Sequence, residues 1–195
     1  MEQTTASQNL RPVMSPRALT IELAPSVHAC SAIEQARLGV KRIIDRRDNR
    51  MIVISGPCSI HDPEAALEYA CRLNELRKQY IDKLHIIMRV YFEKPRTSIG
   101  WKGLIYDPHM DGSCDMAAGL RTARSLLLSI THMGLGAGME LLDPMISHYI
   151  GDLVSWAAIG ARTTESQIHR QMASGLAMAV GFKNTTEGLL DSAIS

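Results

Sequence analysis

The chain has 195 residues, 46% of them hydrophobic and 21% charged, with a formal net charge of +1 at pH 7. That balance is ordinary for a soluble globular protein and excludes a global basic excess for nucleic acid or an anionic membrane. No apolar run approaches the roughly 20 residues of a membrane span. The first residues, MEQTTASQNL, lack the apolar segment of a signal peptide, so a cytoplasmic protein is expected. The four cysteines, Cys30, Cys58, Cys71 and Cys114, show no paired spacing and read as reduced thiols.

Residues 1–50 read as an N-terminal arm. After a polar tail, Ser15-Pro16 marks a helix start and Pro25 a stop. From Ser26, Ile33, Ala36, Val40, Ile43 and Ile44 recur at helical spacing. The arm is expected to pack on a neighbouring domain or subunit. From residue 51 the pattern alternates. MIVIS (51–55) is a strand, and Asp62-Pro63 opens a helix with Ala66, Ala70, Leu73, Leu76 and Tyr80 as its buried stripe. HIIMRVYF (85–92) is a second strand, followed by a long loop and a helix over about 115–131. AGMELL (137–142) is a third strand, and 147–157 reads as a helix with Trp156 on its apolar side. AIGART (158–163) and AVGFK (179–183) are two more strands, separated by a helix over 166–176. TTEGLLDSAIS looks like a further helix beginning.

Strands alternating with helices predict a parallel sheet, either doubly wound or a (β/α) barrel. A dinucleotide-binding sheet wants G-x-G-x-x-G after its first strand. Here that turn reads G-P-C-S, so the barrel is preferred. In a barrel, reactive groups gather at the C-terminal ends of the strands. The predicted strands lead in order to Cys58, to Arg89 with Lys94 and Arg96, to Glu140, to Arg162 and to Lys183. Five cations at one end imply a pocket for small, multiply charged anions such as sugar phosphates. Arg162 also precedes T-T-E-S at a predicted helix start, where free N–H groups favour phosphate. Pro95 stiffens the loop that carries Lys94 and Arg96, and Thr97 adds a hydroxyl. Asp107, His109 and Asp111 match no strong ligand spacing and read as a solvated turn. Cys58 itself remains open between a metal ligand, a nucleophile with His61 nearby, and a small turn residue. Its pairing in a disulfide is disfavoured by compartment.

The segments GPCSIHDP, RVYFEKPRT, GWKGLIYDPHMDGS, SWAAIGARTTESQIHR and VGFKN together resemble the 3-deoxy-D-arabino-heptulosonate 7-phosphate (DAHP) synthases of the microbial, feedback-regulated type. The likeness runs from about residue 15 to 188, and DPHMDGS and LLDP lean toward the tyrosine-sensitive isoenzymes. It implies condensation of phosphoenolpyruvate with erythrose 4-phosphate and release of phosphate, the first step of the shikimate pathway. It also implies a divalent metal of the Mn, Fe, Co or Zn class, with Cys58 as one ligand and His61 as a turn or supporting residue. Arg89, Lys94, Arg162 and Lys183, with the Ala161 backbone, correspond to residues that hold phosphoenolpyruvate. Lys94, Pro95, Arg96 and Thr97 correspond to the erythrose 4-phosphate loop, and Lys94 and Glu140 to catalytic groups. The arm corresponds to an extension for homo-oligomer contacts and amino-acid feedback. A sister family makes an eight-carbon sugar acid phosphate on the same barrel, but its aldose loop usually differs from KPRT.

Only five strands are predicted from residue 51 to 195, so the expected fold is an incomplete barrel, the N-terminal part of one. The family's other metal ligands (a His, a Glu and an Asp) and a second phosphate-binding Arg lie on later strands. The chain therefore reads as a truncated synthase, alone inactive, or as a non-catalytic remnant. Thr185 and Glu187 depart from the family's FKNGTDG, and Gly136 replaces a usual Pro. A β-branched Thr185 is expected to suit poorly a turn that needs positive φ.

Overall fold

The computed structural model describes residues 12–96 and 99–194. Five parallel strands follow one another in space as they do in the chain: β1 (Met51–Ser55), β2 (Leu84–Arg89), β3 (Gly136–Glu140), β4 (Trp156–Ile159) and β5 (Ala179–Phe182). The register runs from Met51 opposite Leu84 through to Ile159 opposite Phe182. Sequential order with a helix at each crossover is the winding of a (β/α) barrel, here with five strands. Among the described residues β1 and β5 each pair on one side only.

Each of the first four helices opens on a side-chain cap. Ser15 and Ser26 accept the N–H groups of Ala18 and Ala29 at the heads of α1 (Pro16–Glu22) and α2 (Val27–Ile44). Asp62 accepts from Glu64 and Ala65 to open α3 (Pro63–Gln79), and Asp115 accepts from Ala118 at the head of α4 (Met116–His132). Ala66, Ala70 and Leu73 of α3 are buried as expected, but the stripe stops there. Leu76 and Tyr80 are exposed, and Ile44 of α2 is too.

The arm belongs to the same packed body. Ala29, Ile33, Ala36 and Val40 of α2 are buried, and Arg37 donates to the carbonyls of Val154 and Gly151. Gly136 leaves room for this: a Cβ there would lie 2.8 Å from that of Ala36. The buried guanidinium of Arg124 on α4 collects the carbonyls of Leu23 and Tyr149 and both oxygens of Asp152.

One element differs in kind from its expectation. The helix expected over 147–157 is a single turn, α5 (Ser147–Ile150), continued by a 3-10 turn over Gly151–Leu153. Trp156 then opens β4 rather than closing a helix. The indole packs over two glycines, Gly138 and Gly181, on the flanking strands. Tertiary packing decides the local choice here, because an apolar segment of this length fits either period. The remaining elements, α6 (Gln167–Ser174) and α7 (Asp191–Ile194), fall where expected.

Candidate functional site

The C-terminal ends of the five strands converge on a cavity of about 300 Å³. Cys58, Arg89, Lys94, Glu140, Arg162 and Lys183 all line it, as does Ala161. A second cavity of about 400 Å³ adjoins it and is lined by Arg96 and Lys102. Lys94, Pro95 and Arg162 border both. Thr97 lies outside the described residues.

Local structure sets each group. The tight turn after β1 is tied down from β2: Arg89 Nε donates to the Pro57 carbonyl at 3.0 Å, and the Ile60 amide donates to the Tyr91 carbonyl at 2.9 Å. This leaves Cys58 exposed at the cavity wall, with Lys94 Nζ 3.1 Å from its Sγ. That hydrogen bond, and then the charges of Lys94 and Arg89, hold the thiol below its ordinary range. Lys183 Nζ meets Glu140 Oε2 at 2.9 Å. Arg162 donates to the Pro95 carbonyl and so joins the end of β4 to the loop after β2. Neither Arg89 nor Arg162 forms an ion pair with a carboxylate among the described residues. Two guanidiniums facing a shared cavity without an acidic partner suit an anionic ligand.

Residues that the sequence pattern did not single out complete the walls. The Tyr91 ring lies 5.3 Å from the Arg89 guanidinium and 5.4 Å from Lys183 Nζ. Burial, with the charge of Glu140, pushes its hydroxyl up to about 12, so the phenol stays neutral. Beneath Lys94 sits Glu93, only 4% exposed. Its carboxylate accepts the amides of Leu142 and Asp143 and the hydroxyl of Tyr106. Burial raises it to about 7 despite those bonds. In the sequence Glu93 is one more charge beside Lys94.

Three local expectations are corrected. The T-T-E-S segment after Arg162 is a turn, and α6 begins only at Gln167. The amides of Thr163 and Ser166 already donate to the carbonyls of Gly160 and Thr163, so they are not waiting for phosphate. Thr185 suits its turn: Gly188 takes the positive φ of 88°, while the Thr185 hydroxyl accepts the Leu189 amide. Asp107 is likewise no solvated residue. It is buried, its carbonyl accepts Trp101 Nε1, and its Oδ2 accepts the Gly112 amide.

The fit to a metal is partial. No group of three or more His, Cys, Asp or Glu side chains comes together among the described residues. One thiolate does not hold a divalent ion against water. These residues do not by themselves make a metal centre. A larger cavity, about 580 Å³, lies at the other end of the strands against α2, Arg77 and His85, and none of the strand-end groups reaches it.

Comparison with known proteins places these features. The model of the DAHP synthetase I family matches residues 26–195. The chain is 56% identical over 183 residues to the Tyr-sensitive phospho-2-dehydro-3-deoxyheptonate aldolase of Escherichia coli (strain K12), covering 94% of this chain and 51% of that protein. It is 52% identical over 187 residues to the Phe-sensitive enzyme of the same organism, covering 96% and 53%. Among solved structures, a phospho-2-dehydro-3-deoxyheptonate aldolase from Francisella tularensis SCHU S4 matches with a TM-score of 0.93 and 45% identity, over 96% of this chain and 55% of that one. The chain thus spans about half the length of the curated relatives it matches. That family implies a divalent metal, and no helix among the described residues is long and apolar enough to cross a membrane. With a match over most of its length and the same strand-end fold, the chain belongs to the DAHP synthetase I family.

Proposed function

We propose that the chain carries the phosphoenolpyruvate-binding and erythrose 4-phosphate-binding face of a DAHP synthase, acting in aromatic amino-acid biosynthesis. The supporting observation is the pair of adjoining cavities that share Lys94 and Arg162. Arg89, Arg162 and Lys183, beside the Ala161 backbone, hold the phosphate and carboxylate of phosphoenolpyruvate. Arg96, with Pro95 and Thr97, receives the phosphate of erythrose 4-phosphate. Bringing two anions together costs Coulomb repulsion, which fixed cations offset. The methylene carbon of phosphoenolpyruvate bonds to the aldehyde carbon, water adds at its central carbon, and phosphate leaves. Lys94, between the cavities, donates a proton to the developing alkoxide, and Glu140 orders the water.

Cys58 is the one ligand that the described residues offer a metal of the manganese, iron, cobalt or zinc class. Its companions must come from outside them. Residues 1–50 serve oligomer contacts and regulation, and 51–195 form the barrel portion. The relatives' names, Tyr-, Phe- and Trp-sensitive, support an aromatic amino acid as feedback inhibitor. The same reading takes the protein as a cytoplasmic homo-oligomer.

Calorimetric titration of the 195-residue chain with phosphoenolpyruvate tests the reading. Saturable binding is expected, weakened about tenfold or more by Arg162→Ala, without release of phosphate by this chain alone when erythrose 4-phosphate and manganese are added. A folded chain that binds no phosphoenolpyruvate would overturn it.

A further inference from the structure

Glu93 has no assigned part in the chemistry above, yet it stands at the wall common to both cavities. It lies four residues past the end of β2 and precedes Lys94. One oxygen accepts the Asp143 amide at 3.1 Å and the Tyr106 hydroxyl at 3.1 Å, and the other accepts the Leu142 amide at 3.2 Å. The single Tyr106 hydroxyl proton is shared with Asp143 Oδ2, 3.0 Å away, which closes a ring of Glu93, Tyr106 and Asp143. The ring fastens the chain leaving β2 to the chain leaving β3. One residue on, the Lys94 amide donates to the Lys102 carbonyl, and its side chain reaches back to Cys58. A buried carboxylate with three donors is costly to form and rigid once formed.

We propose that Glu93 is a positioning residue: its buried carboxylate, clamped to Tyr106 and to the Leu142 and Asp143 amides, holds Lys94 at the junction of the two anion cavities. The role is conditional on ionisation. Burial lifts the Glu93 carboxyl to about 7. Protonation turns one acceptor into a donor and weakens the two amide bonds. The charged and titratable groups around it are Tyr106 and Asp143 in the ring, Lys94, Arg96, Lys102 and Arg162 along the cavities, and His169 of α6, which bonds the Leu142 carbonyl. Lys94 is therefore held more firmly above about pH 7 than below it.

The substrate side of this inference rests on the proposed phosphoenolpyruvate site, so the test has two arms. The first needs no ligand: acylation of Lys94 in the 195-residue chain, resolved by mass spectrometry, with Lys41 and Lys78 as internal references. Glu93→Gln and Tyr106→Phe are compared with the parent, and circular dichroism checks their fold. Release of Lys94 from its fixed place is expected to raise its relative rate roughly threefold or more in Glu93→Gln at about pH 8 and much less at about pH 6, with Tyr106→Phe intermediate. The second arm is phosphoenolpyruvate titration at the same two pH values. Glu93→Gln is expected to weaken binding about tenfold at the higher pH and little at the lower. Using the variant-to-parent ratio removes the ligand's own titration. Lys94 rates that are unchanged, or changed equally at both pH values, overturn the positioning role. If the Lys94 rates respond as expected but neither protein binds phosphoenolpyruvate, the substrate reading fails and the positioning role stands.

Discussion

Gly160 stands between Glu140 and Lys183. It follows β4, the strand that separates theirs, and a Cβ at that position would overlap the Glu140 carboxylate. The 2.9 Å pair that ties β3 to β5 thus exists because β4 ends in a residue with no side chain. Gly160→Ala is expected to push the carboxylate into the cavity toward Arg162, where it competes with an anionic ligand. Phosphoenolpyruvate affinity should fall about tenfold while the urea midpoint hardly moves, since a carboxylate tip shifts more easily than backbone. Adding Glu140→Gln should restore part of the loss in the same titration.

Lys94 and Cys58 make a second measurable pair. All four cysteines are free and exposed, and the Lys94 ammonium holds the Cys58 thiol down. A thiol lowered from its ordinary value carries more thiolate at neutral pH. In chelator-treated protein, iodoacetamide should therefore alkylate Cys58 ahead of Cys30, Cys71 and Cys114. Lys94→Ala should slow Cys58 severalfold and leave the other three unchanged, as read by peptide mass spectrometry.

Glu93 predicts a pH dependence of stability with a definite sign. Its folded value of about 7 lies above that of an unfolded glutamate, so the native state binds the extra proton. Its contribution is most favourable below the unfolded value and declines as pH rises toward about 7. Above that the loss is constant, on the order of 3 kcal/mol. Unfolding free energies across this window should fall less steeply for Glu93→Gln than for the parent. Parallel curves would mean that the carboxyl titrates alike in both states.

Arg124 should dominate the mutational cost of the helical layer. Its side chain is fully buried and meets two carbonyls and one carboxylate. Arg124→Met keeps the volume but strands those acceptors. A loss of about 3 kcal/mol is expected in urea denaturation, tempered because Asp152 is partly exposed.

Much of this was legible in the sequence, for physical reasons that differ by element. Strand alternation with helices, and helix starts at Ser15-Pro16 and Asp62-Pro63, gave the elements and the parallel winding, because periodicity and capping are local signals. The strand-end positions of Cys58, Arg89, Glu140, Arg162 and Lys183 followed from the winding alone. Trp156 was misread because its partners, Gly138 and Gly181, are distant in sequence. Glu93 was passed over because a single charge in a charged loop looks solvated until Tyr106 and the residue 142–143 amides are seen to surround it. Thr185 was judged by a backbone demand that Gly188 meets instead.

The reach of Arg37 to Val154 and Gly151 sets an order of events during synthesis. The helix that carries it is made before its receptors, which lie more than a hundred residues downstream. Until those carbonyls have left the ribosome, Ala29, Ile33, Ala36 and Val40 have only part of their final surroundings. The arm is therefore translated before its receptors and docks late, since contacts across such a span form late. Until then its apolar face is open to chaperones on the nascent chain.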